Sequence, residues 1–365
     1  MKPTRVATIG GCLLMAASLL VACTSPAPSP GPSPARPTVS GVPASGGGPS
    51  PTAAQTTTAA PTGTSTTSAP GTSTTAPNPV SIPALIAKTY DGHGLRLGSE
   101  GGSTDAYREY AVTYQGSGLT ISGRIAIPRG RGPFPAVVTA HGYVDPAAYV
   151  NGQTMLRERD YLARHGYVVL HVDYRNHAQS SRDPNADADL RIGYTEDVIN
   201  AALALQKDPR VIPDRIGLVG RSMGGGVVYN ALIVRPGLFK AAVAYSPVSS
   251  DAVDNFDRWV RRDPARSGVA KEVIARLGTP EAQPRAWADV SPRTFFGRIS
   301  DPLMIHHGTL DEDCPIQWSR DTVAALKAAG RDVTFYVYPG ERHTFVGQWP
   351  LSIRRTTAFL DAHLR

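Results

Sequence analysis

The stretch IGLVGRSMGGG, residues 216–226, decides the fold. An apolar run ends in Gly220-Arg221-Ser222-Met223-Gly224, and a predicted helix follows from Met223. A lone G-x-S-x-G pattern is weak evidence in a chain with 36 glycines, but here it joins a strand to a helix. Glycines around a sharp turn remove the side chains that would keep the strand and the helix apart. The stretch predicts a nucleophilic Ser222; the alternative is a serine that only caps a buried helix.

A base and an acid are needed as well, because a serine hydroxyl is a poor nucleophile at neutral pH. His343 is the preferred base, since it follows the last predicted strand on a Pro339-Gly340 turn. Spacing alone leaves three acids open, namely Asp311, Glu312 and Asp313. Three further histidines are predicted to be structural: His141, His306 and His307.

An oxyanion formed during acyl transfer needs two hydrogen-bond donors. One predicted donor is the backbone N–H of Met223, directly after the nucleophile. The other is Tyr143, in the loop after a strand that ends at Ala140. The sequence does not decide whether Tyr143 donates from its N–H or from its hydroxyl.

Strands alternate with helices along residues 80–365, which predicts a mostly parallel central sheet with helices on both faces. Residues 248–300 interrupt this alternation, and we predict that they form a small, mainly helical cap insertion beside the active site. The alternative is a surface excursion without a role in substrate binding. Strands are expected at 110–114, 119–127, 135–140, 167–172, 215–219, 241–245, 303–305 and 333–338, and helices at 155–164, 189–206, 223–234 and 351–364.

The first 79 residues are predicted to serve export and attachment. Residues 1–23 have a basic start and an apolar run, as a secretory signal peptide does. They end in LVAC, which resembles the lipobox of bacterial lipoproteins, and this resemblance implies that Cys23 is lipidated at the cell membrane. A plain signal peptide is the alternative.

Residues 24–79 are rich in Ser, Thr and Pro, and we predict a disordered tether because they contain too little apolar surface to fold.

Net charge and cysteine content bear on nucleic-acid binding and on disulfide bonds. The net charge is +7, and three of the cations precede residue 80, which leaves a mild +4 on the folded part and gives no indication of nucleic-acid binding. Cys314 is the single cysteine after Cys23, so the folded part has no intrachain disulfide.

The run Asp183, Asn185, Asp187, Asp189 has the alternation of a calcium loop without its glycine and glutamate, and a polar loop is preferred. We expect no metal and no cofactor, and the sequence does not indicate an oligomeric state.

Four segments resemble the catalytic domain of the prolyl oligopeptidase group within the α/β-hydrolase superfamily, over residues 108–365. They are YLARHGYVVL (161–170), DRIGLVGRSMGG (214–225), HGTLDEDCP (307–315) and YPGERHTF (338–345). The resemblance implies an α/β-hydrolase fold and a serine hydrolase. It also implies that Asp311 is the acid that orients His343.

Three departures from that group affect the expected substrate. The loop His141-Gly142-Tyr143 lacks the second glycine and the proline found in many of these peptidases, and Cys314 replaces the usual valine. We also expect no β-propeller domain, so nothing would select substrates by length. A carboxylesterase is therefore favoured, with a dipeptidyl- or acylaminoacyl-type serine peptidase as the alternative. A non-catalytic binding lipoprotein is less favoured, because all three triad residues are present.

Overall fold

The computed structural model describes residues 76–365. The predicted signal peptide, Cys23 and almost all of the predicted tether lie outside this range. The strands are β1 (His93–Glu100), β2 (Tyr107–Gly116), β3 (Leu119–Pro128), β4 (Phe134–Ala140), β5 (Val168–Val172), β6 (Val211–Arg221), β7 (Ala241–Tyr245), β8 (Leu303–Gly308) and β9 (Val333–Tyr338). The α-helices are α1 (Ile82–Ala87), α2 (Leu156–Arg164), α3 (Gly193–Gln206), α4 (Met223–Val234), α5 (Ala252–Phe256), α6 (Ser267–Leu277), α7 (Pro284–Asp289), α8 (Ile316–Ala328) and α9 (Trp349–Leu364).

The strands form one sheet in the order β1-β2-β3-β5-β4-β6-β7-β8-β9. Pairing is antiparallel from β1 to β5 and parallel from β5 to β9. Parallel strands bring their carboxyl ends to the same edge of a sheet, so the loops that follow β4, β6, β8 and β9 emerge together. The prediction of an α/β-hydrolase fold with a mostly parallel sheet is confirmed.

Helices cover both faces because successive side chains of a buried strand point to opposite sides. In β5, Val168, Leu170 and Val172 belong to one hydrophobic cluster, and Val169 belongs to the other. Helices α3 and α4 supply the first cluster, whereas α2 and α9 supply the second.

Several predicted boundaries were wrong. Strand β8 continues to Gly308, so His306 and His307 lie inside the strand rather than at its end. Helix α3 begins at Gly193, because residues 183–191 form a series of hydrogen-bonded turns instead. Helices α1 and α8 and strand β1 were not predicted.

Residues 248–300 lie between β7 and β8 and are helical, as predicted. They contain α5, α6 and α7 and one π-helical turn, Asp257–Arg261. Phe256 packs against Trp287 with ring centroids 4.8 Å apart, and both side chains are buried. The cap therefore has an apolar centre that joins the main hydrophobic cluster.

Two glycines let three chain segments meet at the nucleophile turn. A Cβ on Gly224 would lie 2.0 Å from the carbonyl oxygen of Ala140, and a Cβ on Gly220 would lie 2.2 Å from the carbonyl oxygen of Gly224. Both contacts are with backbone atoms, so no side-chain rotation relieves them. The ends of β4 and β6 and the start of α4 can approach this closely only with glycine at both positions.

Within residues 76–365, no helix combines the length and the apolar character needed to cross a membrane.

Replacing Gly224 by alanine tests this packing. We expect Gly224→Ala to lower the free energy of unfolding by about 3 kcal/mol or more, since the added methyl group meets backbone. The matched control is Gly268→Ala in α6, where the added methyl group meets nothing within 4 Å and should stabilise the helix by about 0.5–1 kcal/mol. Urea unfolding followed by circular dichroism measures both. Equal midpoints for the two variants would contradict the packing argument.

Candidate active site

Ser222 occupies a strained turn between β6 and α4. Its φ is 57° and its ψ is −120°, a conformation that non-glycine residues seldom adopt. The surrounding backbone holds it there: the Ser222 N–H donates to the Tyr245 carbonyl at 2.9 Å, and the Ser222 carbonyl accepts from the N–H groups of Gly225 at 2.9 Å and Val248 at 3.2 Å. The hydroxyl consequently projects from the edge of the sheet where the parallel strands end.

Asp311 and His343 lie in the loops after β8 and β9, and their side chains are in contact. The Asp311 carboxylate oxygens are 2.9 and 3.0 Å from His343 Nδ1. The same carboxylate accepts from the N–H groups of Asp313 and Cys314, and it lies 3.2 Å from His307 Nε2. Burial acts to raise the pKa of Asp311, but hydrogen bonds from His307 and His343 outweigh it and hold that pKa well below its usual range. Asp311 is therefore ionised at neutral pH and orients the His343 ring.

The two competing acids, Glu312 and Asp313, contact other parts of the loop that carries His343. The Glu312 side chain is 44% exposed, pairs with Arg342 at 3.1 Å and accepts from the His343 backbone N–H at 3.3 Å. The Asp313 side chain is 60% exposed, and its carboxylate lies 3.8 Å from His343 Nε2. Asp311, whose side chain is fully buried, is the one of the three that contacts Nδ1.

Ser222 and His343 line the same cavity. Among the described residues, no hydrogen bond joins Ser222 Oγ to His343 Nε2. Such bonds are often long in free enzymes and shorten when substrate binds. The structure thus gathers all three predicted triad residues at one edge of the sheet and leaves the Ser–His contact open.

The loop after β4 passes directly over the nucleophile. A Cβ on Gly142 would lie 3.1 Å from Ser222 Cβ and 3.7 Å from Ser222 Oγ. The backbone N–H groups of Tyr143 and Met223 make no hydrogen bond within residues 76–365. The N–H groups of Met223, which follows the nucleophile, and of Tyr143, in the loop above it, are therefore unpaired among these residues.

The Tyr143 side chain contacts two arginines. The centre of its ring is 4.5 Å from the guanidinium carbon of Arg191 and 5.4 Å from that of Arg266, and the residue is 50% exposed. Asp187 pairs with both arginines, at 2.6 and 3.4 Å. The ring thus takes part in a contact between the cap and the loop before α3.

His141 braces the start of this loop. It is fully buried, with Nδ1 2.6 Å from the Gly142 carbonyl and Nε2 3.2 Å from the Asp173 carbonyl. Burial lowers the pKa of His141 to about 4, so the ring is neutral at pH 7. Its ring also stacks on Tyr149. The role is structural, in line with the prediction.

A cavity of about 1020 Å³ extends from Ser222 to the cap. Its walls come from α2, α4, the loop before α3 and the cap, and about half of the lining side chains are apolar. The apolar lining residues include Met155, Leu156, Leu190, Ile192, Met223, Val227, Phe256, Trp259, Val260 and Val269.

The run that alternates like a calcium loop binds arginines instead. Asp183 pairs with Arg175 at 3.1 Å, and the Asp189 carboxylate and the Asn185 side chain both accept from Arg276. Within residues 76–365, no group of three or more His, Cys, Asp or Glu side chains is arranged to hold a metal ion. The loop's acidic side chains are thus used to attach neighbouring segments.

Comparison with known proteins agrees with this geometry. Residues 153–365, more than half of the chain, match the model of the prolyl oligopeptidase family. The chain belongs to the prolyl oligopeptidase family. It is a serine hydrolase, as predicted from the sequence.

Curated relatives are peptidases of different lengths. The uncharacterized peptidase YuxL of Bacillus subtilis is 26% identical over 266 residues, which are 68% of this chain and 38% of YuxL. The uncharacterized peptidase YtmA of the same organism is 26% identical over 238 residues, 65% of this chain and 87% of YtmA. The chain therefore spans well under half of the first relative and most of the second.

Solved structures with the same fold include a peptidase and an esterase. The acylaminoacyl peptidase of Pyrococcus horikoshii superimposes with a TM-score of 0.57 at 21% identity, over 72% of this chain and 42% of that one. Acetyl xylan esterase 1 of Thermoanaerobacterium superimposes with a TM-score of 0.55 at 18% identity, over 74% of this chain and 88% of that one. At these identities the likeness establishes the fold only.

Two features of the site were missed at the sequence level. His307, expected to pack or brace a loop, contacts the carboxylate of Asp311 directly. Glu158 and Arg221 form a buried ion pair beside the nucleophile, although they are 63 residues apart in the sequence. No sequence pattern links these two positions, because the contact exists only once α2 lies beside the end of β6.

Replacing Asp311 and Asp313 in turn tests which of the two acids orients His343. We expect Asp311→Asn to lower kcat by about 10⁴-fold, since a neutral amide no longer holds the imidazole in the required tautomer. Asp313→Asn should lower kcat by less than about fivefold, because an exposed charge pair contributes roughly 1 kcal/mol or less. Steady-state kinetics on one chromogenic ester gives both values, with circular dichroism to verify folding. Equal losses would assign the acid elsewhere.

Proposed function

We propose that the protein hydrolyses carboxylic esters through an acyl-enzyme. Ser222 Oγ attacks the ester carbonyl carbon while His343 Nε2 takes the hydroxyl proton, and Asp311 holds the imidazolium. The tetrahedral oxyanion accepts hydrogen bonds from the N–H groups of Met223 and Tyr143. Its collapse breaks the bond to the alkoxy oxygen, and His343 returns the proton to the departing alcohol. Water then releases the acid by the same steps in reverse.

The observation that carries this proposal is the contact of the buried Asp311 carboxylate with His343 Nδ1 at the cavity that contains Ser222. The two free N–H groups support the oxyanion role, and loss of one such donor typically costs about 3–4 kcal/mol of transition-state stabilisation. The Tyr143 backbone, rather than its hydroxyl, is the proposed donor, because its ring contacts Arg191 and Arg266.

The cavity lining supports an ester with an apolar acyl or alcohol group. Trp259 and Val260 of the cap, together with Phe256 and Val269, form an apolar part of the lining. The Glu158 carboxylate in the cavity wall forms ion pairs with Arg157 and Arg221, and the Asp187 carboxylate forms ion pairs with Arg191 and Arg266. These two acids are therefore not free to bind a substrate amine, whereas Asp263 and Asp313, which also line the cavity, pair with no arginine or lysine among the described residues. The cap, on this proposal, contributes the wall that contacts the apolar group.

A serine peptidase is the second candidate. It is favoured by the curated relatives, which include the dipeptidyl aminopeptidase BIII of Pseudoxanthomonas mexicana, 27% identical over 189 residues that are 51% of this chain and 27% of that enzyme. The triad and the two N–H groups would act on an amide in the same way, with His343 giving its proton to the amine.

We also propose that the enzyme is exported and attached to the outer side of the cell membrane through a lipid on Cys23. The support comes from the sequence: an apolar signal ends in LVAC, and a Ser-, Thr- and Pro-rich segment follows before the folded part. Membrane contact would then be through the lipid alone, with the catalytic domain on a tether.

A substrate panel on residues 80–365 tests the reaction. We expect p-nitrophenyl esters to be cleaved, with kcat/KM rising roughly tenfold from acetate to butyrate, because each buried methylene contributes about 0.8 kcal/mol. Aminoacyl and peptidyl p-nitroanilides should react far more slowly. A fluorophosphonate probe should label the wild type and not Ser222→Ala.

The outcomes separate the two candidates. Faster cleavage of the anilides than of the esters would replace the esterase by the peptidase. Labelling that persists in Ser222→Ala would refute the nucleophile. Inertness toward the probe and the whole panel would point to a non-catalytic protein.

Replacing Cys23 tests the anchor. We expect the full-length wild type to fractionate with membranes and Cys23→Ala to appear in the medium, because the substitution removes the acceptor sulfur for the lipid. Globomycin, which blocks lipoprotein signal cleavage, should cause the precursor of the wild type alone to accumulate. Identical fractionation of the two proteins would contradict lipidation.

A further inference from the structure

A buried carboxylate lies beside the nucleophile without belonging to the triad. The Glu158 side chain, on α2, is 1% exposed. Its Oε1 accepts from Arg221 Nη2 at 2.5 Å, from Trp349 Nε1 at 2.9 Å and from Arg157 Nε at 3.2 Å. Burial acts to raise the pKa of Glu158, but the charges of Arg221 and Arg157 outweigh it, so the pKa lies below its ordinary value and the group is ionised at neutral pH.

Arg221 links the two chain segments that carry the nucleophile and the base. It directly precedes Ser222, and its Nη1 donates to the carbonyl of Thr344 at 2.8 Å. Thr344 directly follows His343. Its carbonyl also accepts from Arg157 Nη2, so two guanidinium groups fix the peptide plane next to the base.

We propose that Glu158 and Arg221 are positioning residues that hold the His343 loop in register with Ser222. The guanidinium is planar and donates in two directions at once, to Glu158 on one side and to Thr344 on the other. The buried Glu158 carboxylate fixes the orientation of the Arg221 guanidinium. A shift of about 1 Å at a catalytic group can cost about 100-fold in rate, so this bridge sets how often His343 Nε2 meets Ser222 Oγ.

Three variants test the bridge. Arg221→Met removes both hydrogen bonds of the guanidinium. Arg221→Lys keeps the positive charge but cannot donate in both directions at once. Glu158→Gln keeps the shape of the side chain but removes its negative charge. We expect kcat to fall by about 100-fold in Arg221→Met and by about 10-fold in the other two, with KM changed less than threefold, because the apolar cap side of the cavity is unchanged. The rate of fluorophosphonate labelling should fall by the same factors.

The control is a buried ion pair on the same helix that does not reach the catalytic loops. Arg159, adjacent to Glu158, is 3% exposed and pairs with Glu109 at 2.8 Å. We expect Arg159→Met to lower Tm at least as much as Arg221→Met does, while its kcat and labelling rate stay at the wild-type value. A purely structural role for Arg221 would instead make activity follow Tm in both variants.

The labelling rate also separates this inference from the proposed function on which it rests. An unlabelled wild type would mean that Ser222 is not an activated nucleophile, and the proposed function would fail. A labelled wild type with equally fast Arg221 variants would overturn only the positioning role. Loss of activity in Arg159→Met equal to that in Arg221→Met would overturn it as well.

Discussion

The backbone of Ser222 is the constraint on which the site depends. A φ of 57° at a serine is unfavourable, and it persists because the turn is hydrogen-bonded to β7 and packed between the ends of β4 and β6. The same packing brings the loop after β4 over the serine hydroxyl and leaves the Met223 N–H free at the start of α4. Nucleophile exposure and the free Met223 N–H are thus consequences of one strained turn, and the Tyr143 N–H lies in the loop packed over it.

Whether a buried group around this turn is charged depends on its hydrogen-bond and ion-pair partners. The buried Asp311 accepts hydrogen bonds from His343 and from the N–H groups of Asp313 and Cys314 and remains ionised, whereas the buried His141 is neutral because nothing nearby favours its charged form strongly enough. Glu158 is ionised because two guanidinium groups contact it. Glu158 can therefore be fixed in place without competing for the proton that His343 would carry.

Sequence reasoning was strongest where chemistry requires particular residues at particular places. The glycines around Ser222 and the phrases around Asp311 and His343 were sufficient to predict the fold, and the structure brings those residues to one edge. It was weakest where packing decides. Strand β1 is exposed along almost its whole length, so it shows no alternation of apolar and polar residues, and α8 buries only Ser319, Thr322 and Leu326, which make a faint apolar stripe. The Glu158–Arg221 pair depends on tertiary contact, which local patterns do not encode.

The position of the cap in the topology has an evolutionary consequence. Residues 248–300 leave the sheet from β7 and return to it at β8, and these two strands are direct neighbours. One continuous insertion therefore supplies much of the cavity wall, while Ser222 precedes it and Asp311 and His343 follow it. Relatives could exchange most of this single segment, and with it the shape of the substrate site, while keeping the contact between Asp311 and His343, which is made entirely by loops outside it.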